Sequence, residues 1–161
     1  MRTMATLATL LLSGPLAFAQ SGVDYCDNPT LTLGDRVAQH IDHGNDGPSV
    51  GDQRVGRTTL RTTDGADAGV MVFHSHMLRE AADAEAHLVT GQNIFMTERG
   101  NLFTVYAQES PNQDYGDADH RPHALTLAVI GGTGAYAGAR GEITVAPRAE
   151  PATVTVSLLC P

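Results

Sequence analysis

The chain has 161 residues, 18 acidic against 10 basic side chains, a formal net charge of −8, and no lysine. This charge excludes partners that are held through a basic surface, namely nucleic acids and anionic membrane lipids. The length and the 42% hydrophobic content are typical of one globular domain with its own core.

Residues 1–19 are predicted to be a secretory signal peptide. Arg2 precedes an apolar run, and Ala17-Phe18-Ala19 is a small-x-small cleavage site before Gln20. We therefore expect a secreted or periplasmic protein whose mature part, residues 20–161, forms a single domain. No membrane contact is expected after cleavage, because no later apolar stretch is long enough to span a bilayer as a helix.

The two cysteines, Cys26 and Cys160, lie at opposite ends of the mature chain. In an oxidising compartment a single pair most simply forms a disulfide. We predict that this bond joins the two termini.

Alternation of apolar and polar residues dominates the rest of the chain and predicts strands. In the first strand, Leu31, Leu33, Val37 and Ile41 are predicted to share the apolar face. Residues 79–86 have high helix propensity, which leaves a short helix there as an alternative. The pattern predicts an all-β closed barrel or sandwich. Its strands cover residues 31–42, 54–62, 70–78, 87–97, 102–108, 124–130, 142–146 and 153–159.

Residues 129–145, VIGGTGAYAGARGEITV, resemble the signature of the allene oxide cyclase and dirigent barrel superfamily in its bacterial form. Asp42 together with residues 47–52, GPSVGD, resembles a second stretch of bacterial members. The hairpin at residues 98–107, ERGNLFTVYA, resembles the family's glycine turn leading into a strand.

The glycine-rich segment does not follow the G-x-G-x-x-G spacing and leads into a strand, which excludes a dinucleotide site. Its glycines are expected to permit positive φ angles in a tight turn, anchored by two larger side chains. This structural role is assigned to Gly132, Gly134, Tyr136, Gly138, Arg140 and Gly141.

The resemblance implies an eight-stranded antiparallel β-barrel that holds one small apolar ligand in its lumen, with no cofactor, as a possible homodimer or homotrimer. Family members include plant cyclases of fatty-acid epoxides, dirigent proteins that steer radical coupling, and bacterial polyketide cyclases. The plant cyclases carry a glutamate on the first strand. The counterpart here is Gln39, which supplies no charge.

His74 and His76 are two residues apart and share one face of a strand with Glu80. Facing the lumen, they are candidate general acids or bases oriented by Glu80 or Asp42, while Tyr106 donates to a carbonyl or epoxide oxygen. The same spacing resembles half of a cupin metal motif. The third interpretation is that both histidines lie on the protein surface, while the other face of the same strand packs into the core.

Further candidates come from the first strand and the loops. The ligand-binding candidates are Gln39, Asp42, Ser49 and Glu80. The acidic loop at residues 110–123 lacks the calcium-loop order and is interpreted as a solvated loop or a lid. Arg57 and Arg61 share a face that either faces solvent or binds a carboxylate.

Three functional hypotheses follow. The first is an exported cyclase or isomerase-like barrel that binds an apolar oxygenated ligand. The second is a non-catalytic dirigent-like or ligand-binding barrel, and the third is a metal-dependent barrel enzyme. The first requires His74, His76 and Tyr106 to meet in the lumen.

Overall fold

The computed structural model describes residues 22–44, 49–79, 86–111, 124–149 and 151–161. These residues form a closed, eight-stranded antiparallel barrel in which neighbouring strands follow chain order. The predicted fold class is confirmed. The strands are β1 (Thr30–Ile41), β2 (Gln53–Thr62), β3 (Asp67–Arg79), β4 (Ala86–Thr97), β5 (Gly100–Pro111), β6 (Leu125–Gly132), β7 (Arg140–Ala146) and β8 (Thr153–Leu159).

The barrel closes where β1 pairs with β8 through residues 30–32 and 153–155. We call the end where β1 begins and β8 finishes the clasp end, and the opposite end the polar end. At the polar end β4 and β5 stay paired as far as Pro111, whereas the described residues of β6 pair with β5 only at residues 102–105. Among the described residues the β4–β5 pairing therefore continues beyond the part of β5 that pairs with β6.

Aromatic side chains fill the clasp end. Tyr25, in a 3-10 turn before β1, and Tyr136, in a second 3-10 turn between β6 and β7, are fully buried. The Tyr25 ring lies 6.4 Å from that of Phe95 and 5.8 Å from that of Tyr136, and its hydroxyl donates to the Ala68 carbonyl at 3.1 Å. Such buried, hydrogen-bonded rings close this end of the lumen.

The Cys26–Cys160 disulfide is present, with its Cα atoms 5.9 Å apart, and confirms the predicted link between the termini. Asn28, the residue that ends the first 3-10 turn, reinforces it: its side-chain oxygen accepts from the Leu158 amide at 2.6 Å. The N-terminal segment is thereby fixed to the last strand.

The glycine-rich segment forms the β6–β7 connection. Gly134 and Gly138 have φ angles of 60° and 83°, and a Cβ on Gly134 would collide with the Arg99 backbone. Only glycine adopts such angles without strain at so close an approach. Tyr136 points into the core from this turn, whereas Arg140 is exposed and donates to the Ala139 carbonyl at 2.7 Å.

The prediction of which β1 residues face inward is wrong beyond Leu33. Leu33 pairs with Leu60, but Arg36 pairs with Thr58, so β1 contains one extra residue there. A bulge of this kind moves all later side chains to the opposite face. Val37 is consequently 63% exposed, and the even-numbered residues after the bulge face the lumen.

The helix considered for residues 79–86 falls mainly on residues 80–85, which lie outside the described residues. Arg79 belongs to β3 and Ala86 to β4. Among the described residues no helix is long and apolar enough to cross a membrane.

Replacing both cysteines by serine is expected to lower the free energy of unfolding by about 2–5 kcal/mol, because the bond closes a long loop in the unfolded chain. Urea unfolding of the oxidised protein and of the Cys26→Ser/Cys160→Ser variant measures the difference. The reduced wild type is the control and is expected to match the variant. Equal midpoints for the oxidised wild type and the variant would show that the bond does not stabilise the barrel.

Candidate functional site

Five directly paired residues form one interior row across β1 to β5. His40 pairs with Arg54, Arg54 with Ser75, Ser75 with Gly91, and Gly91 with Tyr106. Paired residues in a sheet point to the same face, and here that face is the lumen, since Arg54 and Ser75 are buried. We call these five residues the polar row.

Tyr106 is placed by its glycine partner. A Cβ on Gly91 would lie 2.5 Å from the Tyr106 ring, so only glycine leaves room for the ring to cross β4 toward Ser75. Burial raises the pKa of the Tyr106 hydroxyl, while a hydrogen bond with Ser75 and the charge of Arg54 partly oppose this shift. Tyr106 therefore remains a protonated hydrogen-bond donor at neutral pH.

His40 lies beside a buried carboxylate. Its Nε2 atom is 3.6 Å from Asp52, whose side chain is fully buried, while the His40 side chain is 14% exposed. Asp52 accepts from the His43 amide at 2.9 Å, the Ser49 amide at 2.8 Å and the Ser49 hydroxyl at 3.0 Å.

Burial by itself raises the pKa of Asp52, but the bonds from His43 and Ser49 and the proximity of His40 outweigh it and lower the pKa. Asp52 is thus an anion that faces the His40 imidazole.

Below the polar row the lumen becomes more apolar. The Phe73 ring, which packs across Gly56, is half-buried and carries the Arg36 guanidinium 5.3 Å from its centroid. Asn93, paired with Phe73 and 2% exposed, donates to the Met71 sulfur at 3.5 Å. Within the described residues its side-chain oxygen has no hydrogen-bond partner. Apolar walls and a few polar groups thus lie together.

His74 and His76 lie on the outside of the barrel wall. They alternate along β3 with Ser75 and Met77, which are buried on the lumen side. Their rings are 4.1 Å apart, and His74 bonds Gln53 at 3.1 Å. Burial and the neighbouring His76 lower the pKa of His74. The structure therefore does not bring these histidines together with Tyr106.

The other described candidates from the sequence do not belong to the polar row. Gln39 and Asp42 are exposed, Gln39 because the β1 bulge turns it outward. The Ser49 hydroxyl is within hydrogen-bond distance of Asp52 and of the His43 carbonyl, so it shapes the turn before β2. Arg57 and Arg61 are exposed on the outer face of β2. Glu80 and the acidic part of the loop at residues 112–123 lie outside the described residues.

A resident metal has no three-ligand site in the described part of the chain, because no three His, Cys, Asp or Glu side chains cluster there. His74 and His76 supply two imidazoles on the outer wall. Glu80, the third ligand of the metal hypothesis, is not among the residues described.

His40, Arg54, Ser75 and Asn93 were not among the site residues predicted from the sequence. For His40 the signal was hidden by the bulge at Gly34 and Asp35, which inverts the alternation. For Arg54 a signal was available: it lies on the face of β2 opposite Arg57 and shares that face with Gly56, Thr58 and Leu60. Alternation alone places it inside.

No family model matches this chain, and no curated protein sequence matches it significantly. Solved structures do share its fold. Pyocyanin demethylase is 24% identical with a TM-score of 0.63, over 81% of this chain and 98% of that one. The Diels-Alderase AbmU from Streptomyces koyangensis is 13% identical with a TM-score of 0.60, over 83% of this chain and 62% of that one.

A third similar structure is a nonspecific heme-binding cyclase that catalyses a [4+2] cycloaddition during neoabyssomicin biosynthesis. It is 12% identical with a TM-score of 0.56, over 81% of this chain and 59% of that one. The chain thus spans about three fifths of the two cyclase structures. These similarities establish a fold shared with small barrel enzymes, whereas the narrower resemblance to allene oxide cyclases and dirigent proteins stays a prediction.

Asp52→Asn is expected to destabilise the barrel by about 1–3 kcal/mol at neutral pH, because the amide donors of the turn favour a carboxylate. The pKa of Asp52 is lowered by folding, so its contribution is complete above the unfolded-state pKa and is lost as the pH falls through the folded-state value. Urea unfolding at pH 7 and at pH 3 measures the difference. Asp42→Asn, at an exposed position, serves as the control. If the difference in unfolding free energy between wild type and Asp52→Asn were the same at pH 3 as at pH 7, Asp52 would not be a stabilising buried anion.

Proposed function

We propose that this protein is an exported cyclase or isomerase-like barrel that binds an apolar, oxygenated small molecule at its polar end. The observation that carries the proposal is the polar row: a protonated phenol, a serine hydroxyl and a histidine beside a buried carboxylate, all on the lumen side. The shared fold with barrel cyclases supports the same class of function.

The arrangement suits activation of a carbonyl group. The Tyr106 hydroxyl is a neutral donor in a mostly buried position, where hydrogen bonds to a developing enolate oxygen are strong. Apolar surface at Phe73 adjoins it and accommodates the hydrocarbon part of the ligand. Donors next to an apolar wall are a common composition for small-molecule sites.

His40 supplies the base in this proposal. It removes the proton on the carbon next to the carbonyl, and the C–H electrons move into an enolate that Tyr106 stabilises. Asp52 stabilises the resulting imidazolium. His40 then returns its proton either to another carbon of the enolate or, once the enolate carbon has attacked a second carbonyl carbon in the same molecule, to the alkoxide oxygen that this attack creates. The first outcome is an isomerisation and the second a cyclisation.

The alternative is a barrel that binds the same ligand without reaction. The two possibilities share the binding step and differ in whether His40 accelerates proton transfer. The metal-dependent hypothesis receives less support, since His74 and His76 face away from the lumen.

Enolisation of a simple ketone tests the proposal. Wild-type protein is expected to bind 2-acetylnaphthalene and to exchange its methyl protons for deuterium in D₂O, which proton NMR records. His40→Gln is expected to slow exchange by about 100-fold or more with little change in affinity, since a general base contributes about 10²–10⁴-fold.

Tyr106→Phe is expected to slow exchange and to raise the infrared C=O stretching frequency of the bound ketone, because the phenol donor is lost. His76→Ala, on the outer wall, is the matched control and is expected to change neither quantity. If the protein binds the ketone but exchanges its methyl protons no faster than buffer does, the non-catalytic barrel is favoured. If His76→Ala loses exchange, the reactive site lies on the outer wall and not in the lumen.

Export is part of the proposal. When the whole chain is expressed in a bacterial host, we expect periplasmic protein that begins at Gln20, because the small-x-small site ends at Ala19. Intact-mass spectrometry of the periplasmic fraction locates the N-terminus. Ala19→Arg is expected to block cleavage, and cytoplasmic protein that retains Met1 would contradict the signal peptide.

A further inference from the structure

Two arginines, Arg36 and Arg54, lie on the lumen side of the barrel wall near the polar end. The chain as a whole carries −8. Besides Tyr106, the described lumen-facing residues here with ionisable side chains are two arginines, two histidines and one aspartate. They are Arg36, His40, Arg54, His87 and Asp52.

The single carboxylate of this set is already occupied. Both oxygens of Asp52 accept hydrogen bonds from the backbone and side chain of its own turn. Arg54, which has contacts of its own within the protein, is a guanidinium at 7% exposure in the centre of the polar row. A guanidinium has five N–H donors in a fixed fork, so it can hold a carboxylate alongside contacts within the protein.

The neighbours of Arg54 complete a site for an anion. Arg54 is paired with Ser75 in the polar row, and its charge lowers the pKa of the Tyr106 hydroxyl. Tyr106 is also hydrogen-bonded to Ser75. Three donor side chains from β2, β3 and β5 are thus close together, with the half-buried Phe73 ring on the same lumen face of β3. Low-dielectric surroundings strengthen the attraction of such donors for a negative charge.

We infer that the ligand of this barrel is an anion: a largely apolar, aromatic molecule with a carboxylate or enolate oxygen that docks on Arg54 and Tyr106. The inference rests on the proposed function and narrows its substrate class. Arg54 then determines specificity by favouring the charged oxygen over a neutral one of the same shape. A lumen cation also explains how an acidic protein binds an anionic molecule, because the buried site is screened less than the surface.

A matched pair of probes tests the inference by calorimetry. 2-Naphthoate and 2-naphthamide share size and shape and differ in charge. Wild-type protein is expected to bind the carboxylate about 10-fold or more tightly than the amide, as charge-assisted hydrogen bonds of about 1.5–3 kcal/mol predict. Arg54→Met is expected to abolish this preference while retaining the amide's affinity within a few-fold.

Arg57→Met is the control, because it removes one positive charge from the exposed face of the same strand. It is expected to keep the full preference, which separates a local contact from long-range attraction. Arg54→Lys keeps the positive charge but loses the forked N–H donors of the guanidinium, and it is the comparison if Arg54→Met does not fold. We expect its preference for the carboxylate over the amide to be several-fold smaller than that of the wild type.

The outcomes are distinct. Equal binding of the two probes by the wild type, or an unchanged preference in Arg54→Met or Arg54→Lys, would overturn the inference while leaving ketone binding and the proposed function in place. If 2-acetylnaphthalene and both naphthalene probes fail to bind, the proposed function fails and the anion inference fails with it. An equal loss of preference in Arg57→Met would also overturn a local role for Arg54.

Discussion

The extra residue in β1 between Leu33 and Arg36 decides which side chains of this strand reach the lumen. In a strand, alternate residues face opposite sides, so one inserted residue exchanges the two faces for the rest of its length. Without the bulge, Val37 would face inward and His40 would face solvent. With the bulge, His40 faces the lumen and pairs with Arg54, so it belongs to the polar row.

The two ends of the barrel interior differ: the clasp end is cross-linked and aromatic, and the opposite end contains the polar row. At the clasp end, the disulfide, the two buried tyrosines and the glycine-rich connection hold the chain termini and the strand ends together. Since closure is accomplished there, the other end can tolerate buried polar groups that a core would otherwise exclude. The resemblance motif at residues 129–145 therefore contributes to the architecture, while the proposed chemistry lies at the far ends of β1 to β5.

Glycines connect the two roles. In the β6–β7 turn they adopt backbone angles that other residues avoid, and within the sheet they create space for aromatic rings. Gly56 accepts the Phe73 ring and Gly91 the Tyr106 ring, each from its directly paired neighbour. The position of the Tyr106 hydroxyl thus depends on the absence of a side chain on β4, a relation that is visible only once the strands are in register.

The sequence by itself determined the all-β class, the positions of the strands and hairpins, and the pairing of Cys26 with Cys160, because alternation, turn residues and a single cysteine pair are local or unique signals. It also selected Tyr106. Only the tertiary structure decided that His74 and His76 lie outside while His40, Arg54 and Ser75 lie inside with Tyr106. The physical reason is that a face is defined by register: the bulge in β1 resets the register of that strand, and the pairing of β1 to β5 places residues from five strands in one row.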